Sequence, residues 1–155
     1  MMCPSGKRMS DRSEDWFTQA KRDLESSRAQ KKDGFFEWSC FIAQQAAEKA
    51  VKAVYQRFGE DAWGHSLTDL LAGLKDMTPV DEVTKRSATR LDSYYIPSRY
   101  PNAWPSGTPA KYITEEDAEH AIGHSEKIVQ FCQDILARPR STQGEFKGSR
   151  GTSGE

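Results

Sequence analysis

The chain has 155 residues, 36% of them hydrophobic and 29% charged, with a formal net charge of −1; that length suits one domain with a proper core. No 18-residue apolar run occurs, which argues against a membrane-spanning helix, and the opening Met-Met-Cys-Pro-Ser-Gly-Lys-Arg lacks the apolar stretch of a secretory signal. Residues 1–12 and 138–155 each sum to +2 and leave −5 between them, so nonspecific DNA binding, which needs a basic surface, is not expected.

Both charged ends are rich in Ser and Gly and read as disordered tails flanking a domain over residues 13–137. Cys3, Cys40 and Cys132 are odd in number and far apart, as free thiols in a reducing, cytoplasmic compartment would be. The first helix is expected from Glu14 to Lys32, capped by Ser13, with Trp16, Ala20, Leu24 and Ser27 as its apolar stripe. Asp33-Gly34 ends it.

The second helix, Phe36 to Phe58, carries Cys40, Ala43, Ala47, Ala50, Val51, Val54 and Phe58 at helical spacing, with Phe41, Ile42 and Tyr55 widening the apolar surface. A helix apolar over so much of its circumference packs on more than one neighbour. Gln44, Gln45, Glu48 and Lys49 interrupt that surface, either as a solvated edge or as the lining of a dimer groove or ligand cleft. Gly59–Gly64 is a connector. His65 then precedes Ser66-Leu67-Thr68-Asp69, a capping box opening a short third helix with Leu67, Leu70, Leu71 and Leu74 buried.

Thr78-Pro79-Val80-Asp81 reads as the start of a fourth helix, with Thr78 as cap and Val80, Val83, Ala88, Leu91 and Tyr95 on its apolar side. Thr114-Glu115-Glu116-Asp117 opens the fifth, whose core stripe is Ala118, Ala121, Ile122, Ser125, Ile128, Val129, Cys132 and Leu136. The pattern predicts an all-α up-and-down bundle of four long helices plus one short one.

Between the last two long helices, Leu91 to Tyr112 holds prolines at 97, 101, 105 and 109, which no continuous helix tolerates. The same segment carries Tyr94, Tyr95, Arg99, Tyr100, Asn102, Trp104 and Tyr112. Arginine grips phosphate through paired charge-assisted bonds. Tyr95, Tyr100 and Trp104 would stack on bases, Asn102 would meet a base edge, and Asp92 would orient Arg99. The alternative is an internal Arg99–Asp92 pair that, with the aromatics, merely pins the crossover to the core.

His120 and His124 stand four apart, with Glu116 one turn earlier, which suits either a metal clamp or a wet helix face. Glu does not follow the first histidine, as a zinc-protease helix requires. No phosphate-binding loop, nucleophile elbow or cysteine pairing for zinc occurs. No metal or cofactor is expected.

Trp16-Phe17-Thr18-Gln19-Ala20-Lys21-Arg22-Asp23-Leu24, Cys40-Phe41-Ile42-Ala43-Gln44-Gln45-Ala46-Ala47-Glu48-Lys49-Ala50-Val51-Lys52, Gly64-His65-Ser66-Leu67 and Tyr94-Tyr95-Ile96-Pro97-Ser98-Arg99-Tyr100-Pro101 together resemble a HEPN domain (higher eukaryotes and prokaryotes nucleotide-binding) over about residues 13–137. The resemblance implies a helical bundle that forms a homodimer and works with a minimal nucleotidyltransferase in a toxin–antitoxin or nucleotide-handling pair. It also implies a nucleotide or RNA ligand at Arg99. Many relatives are metal-independent endoribonucleases whose Arg is followed, four to six residues on, by His. Here Trp104, Pro105 and Ser106 stand where that His would be, so a binding module is expected. The alternatives are a ribonuclease that uses Arg99 with His65, and a protein-interaction module without a ligand.

Overall fold

Ala43, Ala46, Ala47 and Ala50 have side chains short enough to let helices approach closely, and all four are fully buried. They lie on α2 (Phe36–Arg57) of the computed structural model, which describes residues 11–139. Around α2 stand α1 (Ser13–Lys32), α3 (Leu67–Gly73), α4 (Glu82–Asp92), α5 (Pro109–Tyr112) and α6 (Glu115–Leu136), with a 3₁₀ turn at Pro101–Ala103. Every regular element among the described residues is helical, and none is long and apolar enough to cross a membrane. The all-α bundle is as expected.

α2 packs against both α1 and α6, α4 packs on α6, and α3 packs on α4. Leu67, Leu71, Leu74, Leu91, Ile128 and Ile135 are almost completely withdrawn from water, each contributing about 1.5–3 kcal/mol of transfer free energy. The α1–α2 seam is fixed by a reciprocal pair: Ser27 Oγ donates to the Ser39 carbonyl (2.7 Å) and Ser39 Oγ donates to the Ser27 carbonyl (2.8 Å). α3 is seated on α2 by Tyr55, whose hydroxyl donates to the Leu70 carbonyl at 2.6 Å. A Cβ at Gly73 would lie 2.2 Å from that hydroxyl oxygen, so only glycine leaves room for it.

The caps decide where three helices begin. Thr114 and Asp117 form the reciprocal box that opens α6, and Ser66 Oγ accepts from Asp69 N at the start of α3. Ser13, expected as the cap of the first helix, is instead its buried first residue, and Arg12 occupies the cap position without a side-chain bond. α4 begins at Glu82, later than Thr78-Pro79 suggested, because the Asp81 carboxylate accepts from Thr84 N at 2.7 Å. Thr78 is buried and its own amide closes the turn after α3 on Leu74. The register of α4 therefore differs: Thr84, Ser87, Ala88 and Leu91 face inward while Val83 is exposed. The helix also stops at Asp92, short of Tyr95, so the bundle has three helices of 20 to 22 residues and a fourth of 11.

Of the two expected tails, residues 1–10 and 140–155 lie outside the described residues. Asp11 accepts from Arg57 Nε at 3.2 Å, and Arg138 donates to Thr78 at 3.4 Å.

Candidate functional site

Phe41, Gln45, Glu48 and Lys52 succeed one another three or four residues apart, and on α2 that spacing places them along one face. Trp38 extends the row, its ring meeting Phe41 edge-on at 6.1 Å. The solvated-edge reading of this polar interruption fails for two of its members: Gln44 is fully buried and Glu48 nearly so. A buried carboxylate is costly unless its oxygens are satisfied. Glu48 accepts from Lys52 Nζ at 3.0 Å and Gln45 Nε2 at 3.1 Å, and its Oε1 lies 3.0 Å from His65 Nδ1.

His65 arrives from the connector, where Gly64 turns the chain with φ of 89°, a conformation that favours glycine. Two further contacts place it. Gln44 Nε2 donates to its carbonyl at 2.9 Å, and its ring stacks on Tyr95 at 5.2 Å and 18°. The residues just after it are held by Asp92, whose carboxylate accepts from Leu67 N (2.8 Å), Thr68 N (3.0 Å) and Ser66 Oγ (3.2 Å). Anions at the amide end of a helix are favourable, and this use accounts for Asp92. It does not orient Arg99, contrary to the sequence-based expectation.

Arg99 is held by other means. The turns after α4 bring its Nε to the Tyr95 carbonyl at 2.8 Å. Its guanidinium carbon lies 4.3 Å from the Phe41 ring centre, 4.5 Å from Tyr95 and 4.9 Å from Tyr100. Cation–π contacts of this kind contribute about 0.5–2 kcal/mol each and fix the plane of the fork. Among the described residues no carboxylate pairs with Arg99, and both Nη groups lack an acceptor. The cluster thus presents a rigid cation whose donors remain available, beside a half-exposed Tyr100 and an accessible imidazole.

The rest of the proline segment behaves differently. Trp104 donates from Nε1 to the Pro97 carbonyl at 2.8 Å and stacks face-on with Tyr112 at 4.4 Å and 2°. Tyr112 in turn donates to the Ser106 carbonyl at 2.5 Å. Trp104 is therefore occupied within its own loop, unlike the base-stacking ring the sequence suggested. Asn102 is exposed on the 3₁₀ turn, and its amide has no hydrogen-bond partner among the described residues. On α6, His120 faces Glu116 at 3.9 Å while His124 Nδ1 lies 3.0 Å from Ser87 Oγ, so the two rings have separate partners. No three potential metal ligands gather among the described residues.

Burial pushes the Cys40 thiol up to about 12, assisted by the nearby carboxylates of Asp117 and Glu37. Burial likewise raises the Tyr94 phenol to about 12 and raises Cys132. None of these three supplies a reactive anion near neutral pH. Glu48, Gln44 and Phe41 are the site residues that the reading of the proline segment missed. Their signal was the interruption of an otherwise apolar helix by Gln44-Gln45 and Glu48.

The HEPN domain model matches residues 13–135. Three solved structures are similar: TT1696 from Thermus thermophilus, at 42% identity and a TM-score of 0.80, covering 81% of this chain and 99% of that one; ST0689, an archaeal HEPN homologue, at 41% and 0.68, covering 80% and 98%; and a HEPN domain protein, TM0613, from Thermotoga maritima, at 41% and 0.65, also covering 80% and 98%. A curated protein of Methanocaldococcus jannaschii, named "Putative toxin MJ1304", is 24% identical over 140 residues, spanning 76% of this chain and 83% of its own length.

Proposed function

We propose, on the premise that the chain belongs to the HEPN family, that it is a cytoplasmic, homodimeric module binding a nucleotide or RNA phosphate at Arg99. Its cellular role is that of one half of a toxin–antitoxin-like pair, with a minimal nucleotidyltransferase as the partner. The observation that carries the ligand is the state of Arg99: the fork is immobilised by three rings and the Tyr95 carbonyl while both Nη groups lack an acceptor among the described residues. A guanidinium so held loses little freedom when it takes a phosphate. Tyr100, half-exposed beside it, offers a ring on which a base can stack, whereas Tyr95 is already stacked by His65, and Asn102 supplies an exposed amide for a base edge. The toxin name of a relative supports the pairing.

Isothermal calorimetry of wild type and Arg99→Ala against ATP, GTP and short RNAs tests this. At least tenfold weaker binding in the variant is expected; equal affinities, or none in either protein, remove the proposal. Co-purification with a co-expressed minimal nucleotidyltransferase tests the partner, and retention of that complex in Arg99→Ala is expected.

A second reading, metal-independent endoribonuclease activity through Arg99 and His65, draws on one observation. The His65 ring and the Arg99 guanidinium both lie against the Tyr95 ring.

A further inference from the structure

The contact between Glu48 and His65 is not needed to hold the chain in place. Gln44 already fixes the His65 carbonyl, and Asp92 already fixes the two amides and the hydroxyl that follow. A carboxylate with 5% side-chain exposure nevertheless reaches the ring, and it is itself braced by Lys52 and Gln45. An ionised carboxylate only accepts hydrogen bonds, so in neutral His65 the proton sits on Nδ1 and Nε2 carries the lone pair. The imidazole is 58% exposed, and with Nδ1 turned to a buried partner the open edge is the Nε2 edge.

We propose that Glu48 is a positioning residue that makes His65 the proton acceptor of an RNA transesterification, in place of the histidine absent after Arg99. The inference rests on the second reading above and deepens it. Nε2 takes the proton of a ribose 2′-hydroxyl, and the 2′ oxygen forms a bond to the adjacent phosphorus. The bond from phosphorus to the 5′ oxygen breaks, and the proton held on His65 leaves on that oxygen, directly or through solvent. The products are a 2′,3′-cyclic phosphate and a 5′-hydroxyl, with no water, metal or oxidant consumed. Arg99 carries the charge that gathers on the non-bridging oxygens, and Glu48 steadies the imidazolium. The charged and titratable groups around His65 are Glu48 and Lys52 from α2, Asp92 from the end of α4, and Tyr95 and Arg99 from the turns that follow.

The test uses the full chain and an end-labelled single-stranded oligoribonucleotide of mixed sequence in EDTA, with the matching oligodeoxynucleotide as control. Wild type should cut RNA to cyclic phosphate ends and leave DNA intact. His65→Ala should lower kcat at least a hundredfold. Glu48→Gln should lower kcat at least tenfold with KM unchanged, whereas Arg99→Ala should both lower kcat and raise KM. Nitrogen-15 NMR of wild type should show neutral His65 protonated on Nδ1, and Glu48→Ala should shift it to a tautomer mixture. This second readout does not depend on turnover or on the stability of Glu48→Gln. The inference is overturned if wild type leaves RNA intact, if Glu48→Gln cuts as fast as wild type, or if the neutral ring carries its proton on Nε2. RNA bound through Arg99 but never cut would sink this inference alone and leave the binding module standing.

Discussion

The two halves of the proline segment have the same chemical vocabulary and opposite uses of it. From Tyr95 to Tyr100, rings surround a guanidinium whose outward donors have no acceptor among the described residues. From Pro101 to Tyr112, the rings turn on each other, and the indole and phenol handles end on carbonyls of the same loop. The difference lies in what stands beneath. The first half sits over α2, where the Phe41 ring lies against Arg99 and Tyr95; the second half also packs inward through Trp104 and Pro109, but its polar handles close on the loop itself. Aromatic density alone therefore does not mark a binding face. What separates the two halves is the guanidinium in the first, unpaired among the described residues.

The sharpest separation comes from Trp104→Ala. It removes a partly buried ring, its stacking partner's contact and one hydrogen bond, and should cost about 3 kcal/mol in urea unfolding, while the folded fraction keeps its affinity for RNA. A large loss of affinity at full stability would break the comparison. Arg99→Ala should show the reverse. Its unfolding free energy should stay within about 1 kcal/mol of wild type, and phosphate-ligand affinity should fall by about 1.5–3 kcal/mol, the range of a charge-assisted hydrogen bond. Arg99→Lys should recover only part, because a point charge neither stacks on three rings nor forks to two oxygens.

Asp92→Ala should lie between these extremes. Losing the acceptor for two amides of α3 costs about 1–2 kcal/mol, and because those amides follow His65, RNA affinity should drop as well; an unchanged affinity would show that the placement of His65 is irrelevant to binding. The smallest expected effect separates the bundle's own pH response from that of the site. Burial, and then Lys127, His120 and Arg90, hold His124 below its ordinary value. As pH falls through that ordinary value of about 6.5, the unfolded chain takes the proton first. Stability present above it therefore erodes as pH falls toward the folded value. His124→Gln should flatten thermal stability between about pH 7 and 5 by a few tenths of a kcal/mol, with ligand binding untouched.

What could be read along the chain was whatever local spacing carries. α2 and α6 announce themselves by apolar residues at helical intervals; the capping box at Thr114 is present in full, and at Ser66 only the half in which Ser66 accepts from Asp69 N. Arg99 and its aromatic neighbours were visible because they are adjacent. Asp92 was assigned to Arg99 because the two are close in sequence, yet its carboxylate serves amides that lie 24 and 25 residues upstream. Glu48 was hidden for the same reason: its meaning depends on a ring 17 residues away. α4 starts later than Thr78-Pro79 implies because two acceptors, Thr78 and Asp81, compete within four residues. The carboxylate prevailed, since it bonds the Thr84 amide while Thr78 is folded into the core.

The carboxylate that ends α4 has one more implication. Asp92 stands three residues before Tyr95 and also binds the amides just behind His65, so the imidazole and the phenol that stack face to face are moored to one post. Thermal breathing of α3 against α4 would carry both along together, and their alignment would outlast motions that loosen the surrounding bundle. A partner that grips this corner would therefore shift imidazole, phenol and guanidinium as a block, switching the whole face instead of detuning a single group.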